Sequence, residues 1–166
     1  MHRITGKQQF VGLLAWLAVT GVAAYAGSMS MASRRSQDFY GLLEQPAWAP
    51  PPEVFGPVWT VLYIMMAVAA WLVWRVGGFD HARTALTLYL VQLVVNALWS
   101  WLFFAWQMGA AALADIALMW VLVVATMLAF WKHSRVAALL LLPYLAWISF
   151  AAMLNLRLWQ LNPGVL

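Results

Sequence analysis

The residues in this chain that could do chemistry are amides, hydroxyls and indoles embedded in long apolar runs. Gln92, Asn96 and Ser100 recur at every fourth position and so share one helix face, with Trp99 and Phe103 beside it. In hydrocarbon such amides must find hydrogen-bond partners, so this face is expected to turn inward. It then serves either as interhelical glue or as the polar lining of a ligand cavity. Trp59 and Tyr63 stand one turn apart, as do Tyr144 and Trp147, and Ala151 and Leu154 continue the second of these faces. Together with Trp99, these rings are expected to converge on a broad aromatic pocket. Such a pocket suits a flat apolar ligand such as a porphyrin, and plain core packing is the alternative.

Conventional catalytic groups are scarce. Asp115 lies inside an apolar run, and a carboxylate there is a functional candidate by default. It has no basic partner within a turn, so water or a hydroxyl or amide of a neighbouring helix is expected to satisfy it, in a structural rather than a proton-handling role. His2, His81 and His133 fall in termini or loops and share no helix face with another ligand, so no metal site is expected. There is no cysteine, which excludes disulfides and thiolate ligands. No nucleophile–base pair, phosphate loop or paired carboxylates are present. The chain therefore reads as a binding protein without a required cofactor, not as an enzyme of the usual kind.

The elements that must position these residues follow from composition. Of 166 residues, 66% are hydrophobic and 8% charged, against about 25% charged in a soluble domain. A chain this short cannot hide so much apolar surface from water, so its solvent is lipid. The runs are continuous and lack the alternation of a membrane barrel, which predicts an all-α bundle. Spans are expected at 10–31, 57–76, 84–106, 109–131 and 136–161, forming one transmembrane domain over 1–166. Pro57 falls in a first turn, where its missing N–H costs little. Ala24–Ser28 resembles a cleavage site, but its removal would leave an even helix count that fits the loop charges less well.

The net charge of +4 comes from scattered single cations, which read as topology signals and not as a nucleic-acid surface. Arg3, Lys7, Arg75, Arg83, Lys132 and Arg135 collect on the N-terminal side of the five spans, with Arg34, Arg35 and Arg157 opposite. This bias predicts a cytoplasmic N-terminus in a bacterial cell membrane. The segment 32–56 is too polar and proline-rich for lipid, yet it carries Phe39, Tyr40, Trp48 and Phe55. It is expected to fold back as a lid over the bundle. Of the twelve tryptophans, Trp71, Trp74, Trp106, Trp131 and Trp159 lie near span ends and are expected to anchor at the interface. Small residues in the first span (Gly12, Ala15, Ala18, Gly21, Ala24) and at the start of the fourth (Gly109–Ala112, Ala114) permit close helix approach, within the bundle or across a dimer.

These motifs resemble a known family. Phe39-Tyr40-Gly41-Leu42-Leu43-Glu44-Gln45-Pro46-Ala47-Trp48-Ala49-Pro50-Pro51 is similar to the W-Y-x-x-L-x-K-P-x-W-x-P-P loop of the translocator protein family, also called TspO/MBR, tryptophan-rich sensory proteins or peripheral benzodiazepine receptors. The likeness continues in order through Pro57-Val58-Trp59 with Tyr63, and through Gln92-Leu93-Val94-Val95-Asn96-Ala97-Leu98-Trp99 with Phe103-Phe104. It then runs through Gln107-Met108-Gly109, Ala114-Asp115 and Pro143-Tyr144-Leu145-Ala146-Trp147 to Phe150-Ala151 and Leu154-Asn155. The resemblance implies a five-helix bundle, a homodimer, and a pocket roofed by the first loop.

It further implies binding of tetrapyrroles (protoporphyrin and haem-like molecules) and of benzodiazepine- and isoquinoline-type drugs. The ligand-lining positions it implies are Tyr40, Pro46, Trp48, Trp59, Asn96, Trp99, Trp147, Ala151 and Leu154. Trp59 and Trp147 match tryptophans tied to light-dependent porphyrin breakdown in bacterial relatives. A third expectation is a dimeric scaffold for partner proteins. Two departures stand out at the motif loop, Gln45 for its lysine and Phe39 for its leading tryptophan. Arg157 stands where the animal sterol motif has tyrosine, which argues against sterol recognition.

Overall fold

The computed structural model describes residues 5–166, and within them every regular element is helical. His2 and Arg3, which enter the histidine and charge arguments, lie outside the described residues. Five helical stretches are long and apolar enough to cross a membrane, at 6–31, 52–74, 83–105, 109–131 and 135–161. Each sits within a few residues of its expected span.

Helix α1 (Gly6–Ser28) begins in a capping box. The Thr5 side chain accepts from the Gln8 N–H, and the Gln8 side chain accepts from the Thr5 N–H at 2.8 Å. The segment read as a loop contains a helix, α2 (Arg34–Leu42). Ser33 caps it by accepting from the Ser36 N–H, and Ser36, Phe39, Tyr40 and Leu43 form a buried i, i+3, i+4, i+7 stripe. That stripe, masked in sequence by its polar neighbours, is why a short helix forms there.

Helix α3 (Phe55–Trp74) follows the proline run, and the short α4 (Gly78–His81) leads into α5 (Arg83–Ser100). The third span was expected to run regularly to Trp106. Instead its last turn, Trp101–Ala105, widens into a π-turn, and Gln107 reverses the chain with φ 56°. After α6 (Gly109–Trp131), the fifth span breaks into α7 (Arg135–Leu140) and α8 (Leu142–Leu161). Pro143 has no N–H to continue the ladder, which accounts for the break.

The helices close into a ring. α1 packs on α3 and α5, α5 on α6, α6 on α8, and α3 on α7. Small residues set the close approaches inside this ring. A Cβ on Gly12 would meet the Trp74 ring at 2.2 Å, and one on Gly109 would meet Leu166 at 2.8 Å and Trp159 at 3.1 Å. Indole N–H groups fasten α1 to its neighbours, Trp71 to the Gln9 carbonyl at 2.8 Å and Trp101 to the Ala26 carbonyl at 2.9 Å. Trp71 and Trp74 thus hold helices together, whereas Trp106 and Trp131 are about half exposed at span ends.

A candidate ligand cavity

On the α2 side of the bundle, the space between α1, α3 and α5 is not filled by side chains. It forms a cavity of about 660 Å³, within the range of small-molecule sites. α1 supplies its thin wall, with Gly21, Ala24 and Gly27, and a Cβ on Gly21 would meet nothing within 4 Å. The opposite walls are aromatic: Phe55, Trp59 and Tyr63 from α3, Trp99 from α5, and Phe104 from the π-turn. Gln37 and Tyr40 of α2 border it at one end. Trp99 stacks on Phe103 at 5.5 Å and meets Phe104 edge-on at 6.0 Å. The π-turn brings these three rings together, since it places Phe103 and Phe104 on adjoining sides of Trp99.

Behind the aromatic wall runs a polar chain linking three helices. The Tyr63 hydroxyl donates to Asn96 Oδ1, the Asn96 amide donates to the Tyr144 hydroxyl at 2.8 Å, and that hydroxyl donates to Gln92 Oε1 at 2.9 Å. Nearby, Trp99 Nε1 donates to Asn155 Oδ1 at 3.2 Å, and the Asn155 amide donates to the Gly109 carbonyl at 3.0 Å. On the expected polar face, therefore, Gln92 and Asn96 join helices while Ser100 borders the cavity.

The nine positions singled out from sequence are placed in three ways. Tyr40, Trp59 and Trp99 line the cavity. Asn96 and Trp147 form a layer directly behind it. Trp147 crosses Trp59 at 89° with centroids 6.5 Å apart and meets Phe55 at 5.9 Å. Ala151 and Leu154 are buried in the core, and Pro46 and Trp48 lie in the segment after α2, none of them on the cavity wall. Trp48 is 48% exposed and rests edge-on against Phe150, which in turn touches Trp147. Sequence reading missed Gln37, Phe104 and the open role of Gly21. Only the small-residue stripe hinted at the last, and that stripe equally suits close packing.

The segment 32–54 is fastened to the bundle end. Phe39 meets Phe103 at 6.0 Å and Tyr40 meets Phe55 at 5.4 Å. Tyr40 donates to the Pro50 carbonyl at 3.1 Å, and burial pushes its hydroxyl pKa up, so it remains a donor. The Asn162 side chain, just past α8, accepts from the Glu44 N–H at 2.9 Å and donates to the Glu44 carbonyl at 3.0 Å.

Ionisable groups lie both inside the bundle and at its end. Asp115 Oδ2 is buried and makes no hydrogen bond to another described residue, so of the two expected partners a neighbouring helix does not supply one to this oxygen. His81 and His133, read as unrelated loop residues, lie ring to ring at 5.4 Å where the 74–83 and 131–135 connections meet. Burial, His81 and Lys132 all hold the His133 imidazole below its ordinary pKa. No cluster of three metal-ligating side chains occurs among the described residues.

Comparison with known proteins assigns this architecture. The chain is 40% identical over 158 residues to the tryptophan-rich protein TspO of Chlorobaculum tepidum, covering 95% of this chain and 99% of that one. It is 38% identical over 149 residues to the tryptophan-rich sensory protein of Cereibacter sphaeroides, covering 90% of each. It is 41% identical over 128 residues to the human translocator protein, covering 76% of each. These relatives support a membrane sensory or transport role. With the TspO/MBR profile matching residues 13–160 across all five apolar helices, this integral, multi-pass membrane protein belongs to the TspO/MBR family.

Proposed function

We propose that the protein binds a tetrapyrrole of the protoporphyrin or haem type in the α1–α3–α5 cavity and regulates its traffic or synthesis. The observation that carries this reading is the pairing of a 660 Å³ space with Trp59, Trp99, Phe104 and Tyr40 on its walls. Flat rings stack on such walls, and a bundle open to lipid can receive an apolar ligand from the bilayer. On this reading the segment 32–54 is the lid, and benzodiazepine- and isoquinoline-type drugs compete for the same space. The charge bias supports a cytoplasmic N-terminus, and a homodimer is the assembly proposed.

Titration of protoporphyrin into the protein in nanodiscs, followed by tryptophan fluorescence, tests the site. Trp59→Phe and Trp99→Phe should each reduce quenching, and unchanged quenching in both would sink the assignment.

One arrangement favours a second activity, light-driven breakdown of the bound porphyrin with dioxygen as oxidant. Trp59 touches the cavity and Trp147 crosses it from behind, while Trp147 Nε1 is buried without a hydrogen-bond partner among the described residues. That pair could pass an electron between the ligand and the bundle interior. Porphyrin absorbance under illumination should decay more slowly in Trp147→Phe than in the parent, with equal loading of both. Identical decay would exclude a role for this indole.

A further inference from the structure

We propose that the end of the bundle where the 74–83 and 131–135 connections meet binds the phosphate of an anionic phospholipid, held by Arg75 and Arg135. Charge at this end is one-sided. Arg75, Arg83, Lys132 and Arg135 sit on the two connections, which the His81–His133 ring contact at 5.4 Å and the packing of α3 on α7 bring together. Lys7 joins them, because the Trp71 indole donates to the Gln9 carbonyl and fastens the start of α1 to the end of α3. The only acidic residue on these connections, Asp80, lies 3.9 Å from Arg83. Lys7, Arg75, Lys132 and Arg135 therefore have no ion-pair partner among the described residues. At the other end the charges balance, with Arg34, Arg35 and Arg157 against Asp38, Glu44 and Glu53. Arg75 and Lys132 also cap the C-terminal ends of α3 and α6, which accounts for a cation at each but not for the lack of acids around them.

The two arginines are set at the depth of a headgroup. Arg75 Cζ lies 4.9 Å from the Trp71 ring centroid, and Arg135 Cζ lies 5.5 Å from that of Trp131. Tryptophan at the end of a lipid-facing helix sits at headgroup level, so these guanidiniums meet the phosphates of one leaflet rather than bulk water. Each ring holds its guanidinium in place without using its N–H groups, and neither arginine donates a hydrogen bond to a described residue. A guanidinium fork matches phosphate oxygens two at a time. A zwitterionic headgroup carries its own cation, which the four unpaired charges disfavour. An anionic headgroup brings none. His133 adjoins the site. Burial, His81 and Lys132 hold its imidazole below the ordinary pKa, with Asp80, Arg83 and Arg135 on the same connections. A phosphate docked here favours the imidazolium and raises that pKa, which makes the ring a local reporter.

Native mass spectrometry of the protein equilibrated with equal amounts of phosphatidylglycerol and phosphatidylcholine tests the site. Phosphatidylglycerol should be retained in preference. Arg75→Gln and Arg135→Gln should each weaken it about fivefold, the effect of one basic residue at a membrane surface, and leave phosphatidylcholine unchanged. Arg157→Gln, at the other end, should change neither. In nanodiscs, imidazole NMR should show the His133 pKa rising when phosphatidylglycerol replaces part of the phosphatidylcholine, and rising less in the Arg75→Gln/Arg135→Gln variant. Diffuse surface charge acts on both proteins alike, so an equal rise in the two would overturn the inference. So would equal retention of the two lipids, or a preference lost in Arg157→Gln and kept in the double variant. Displacement of the lipid by inorganic phosphate would show a site for soluble anions and overturn the lipid assignment.

Discussion

Asn162 offers a quantitative test of how the segment after α2 is held. Its side chain makes two hydrogen bonds to the Glu44 backbone, at 2.9 and 3.0 Å, across 118 positions of sequence. Each such bond is worth about 1 kcal/mol net, so the pair contributes about 2 kcal/mol to docking of this segment. Asn162→Ala should therefore raise the open population about 30-fold. Hydrogen exchange reads this at the Ala49 amide, which donates to the Pro46 carbonyl in the turn that docking orders. That amide should exchange faster by up to about 30-fold, while the Glu44 amide, which donates to Asn162 itself, loses its partner outright. Asn162→Asp keeps the acceptor for the Glu44 N–H but loses the donor to its carbonyl, so the acceleration should be about fivefold. Asn162 also donates to the Leu158 carbonyl at 2.8 Å, so fraying of α8 is the competing explanation. If the amides of residues 159–161 accelerated as much as those of 44 and 49, or if neither set changed, the latch argument would be refuted.

Tyr144→Phe removes the hydroxyl that joins Asn96 to Gln92 and leaves two buried amide groups short of a partner. The cost should be about 2–3 kcal/mol, seen as a lower midpoint of thermal unfolding in detergent. Gly12→Ala drives a methyl into the Trp74 ring and should destabilise by about 1–3 kcal/mol, with Trp74→Leu restoring part of the loss in the double variant. His133 has a depressed folded pKa, so the unfolded or opened state binds the proton more tightly. Closure of this end is then fully present above pH about 6.5 and weakens as pH falls through and below that value. With the intrinsic pH dependence of exchange divided out, residues 77–83 and 132–135 should be less protected at pH 5.5 than at pH 7.5, and His133→Gln should abolish the difference.

How much was legible beforehand depends on the range of the interactions involved. The five spans follow from hydropathy, a local property, and the structure returns them nearly in place. The i, i+4 row Gln92–Asn96–Ser100 showed which side of α5 turns inward, because an amide in lipid must find a partner. It did not show which partner, and the answer, Tyr63 and Tyr144, comes from two other helices. The π-turn left no mark in the apolar run Trp101–Ala105, since any of several backbone ladders accommodates it. Helix α2 was hidden because its three buried residues, Ser36, Phe39 and Tyr40, lie among charges and amides.

Sequence alone determined the solvent, the number of spans, the inward amide face and the family motif, all of which depend on neighbours within a few turns or on residue order. Only the tertiary structure decided which aromatic rings border empty space. The spanning helices are apolar nearly all round, so periodicity cannot say which flank of α3 or α8 faces a cavity and which a neighbour. Packing around the ring put Trp59 and Trp99 on the cavity wall and Trp147 one layer behind. It also left Gly21 without a neighbour while Gly12, nine residues earlier on the same helix, is filled by Trp74. Identical residues on one helix met different partners, and that difference makes the cavity.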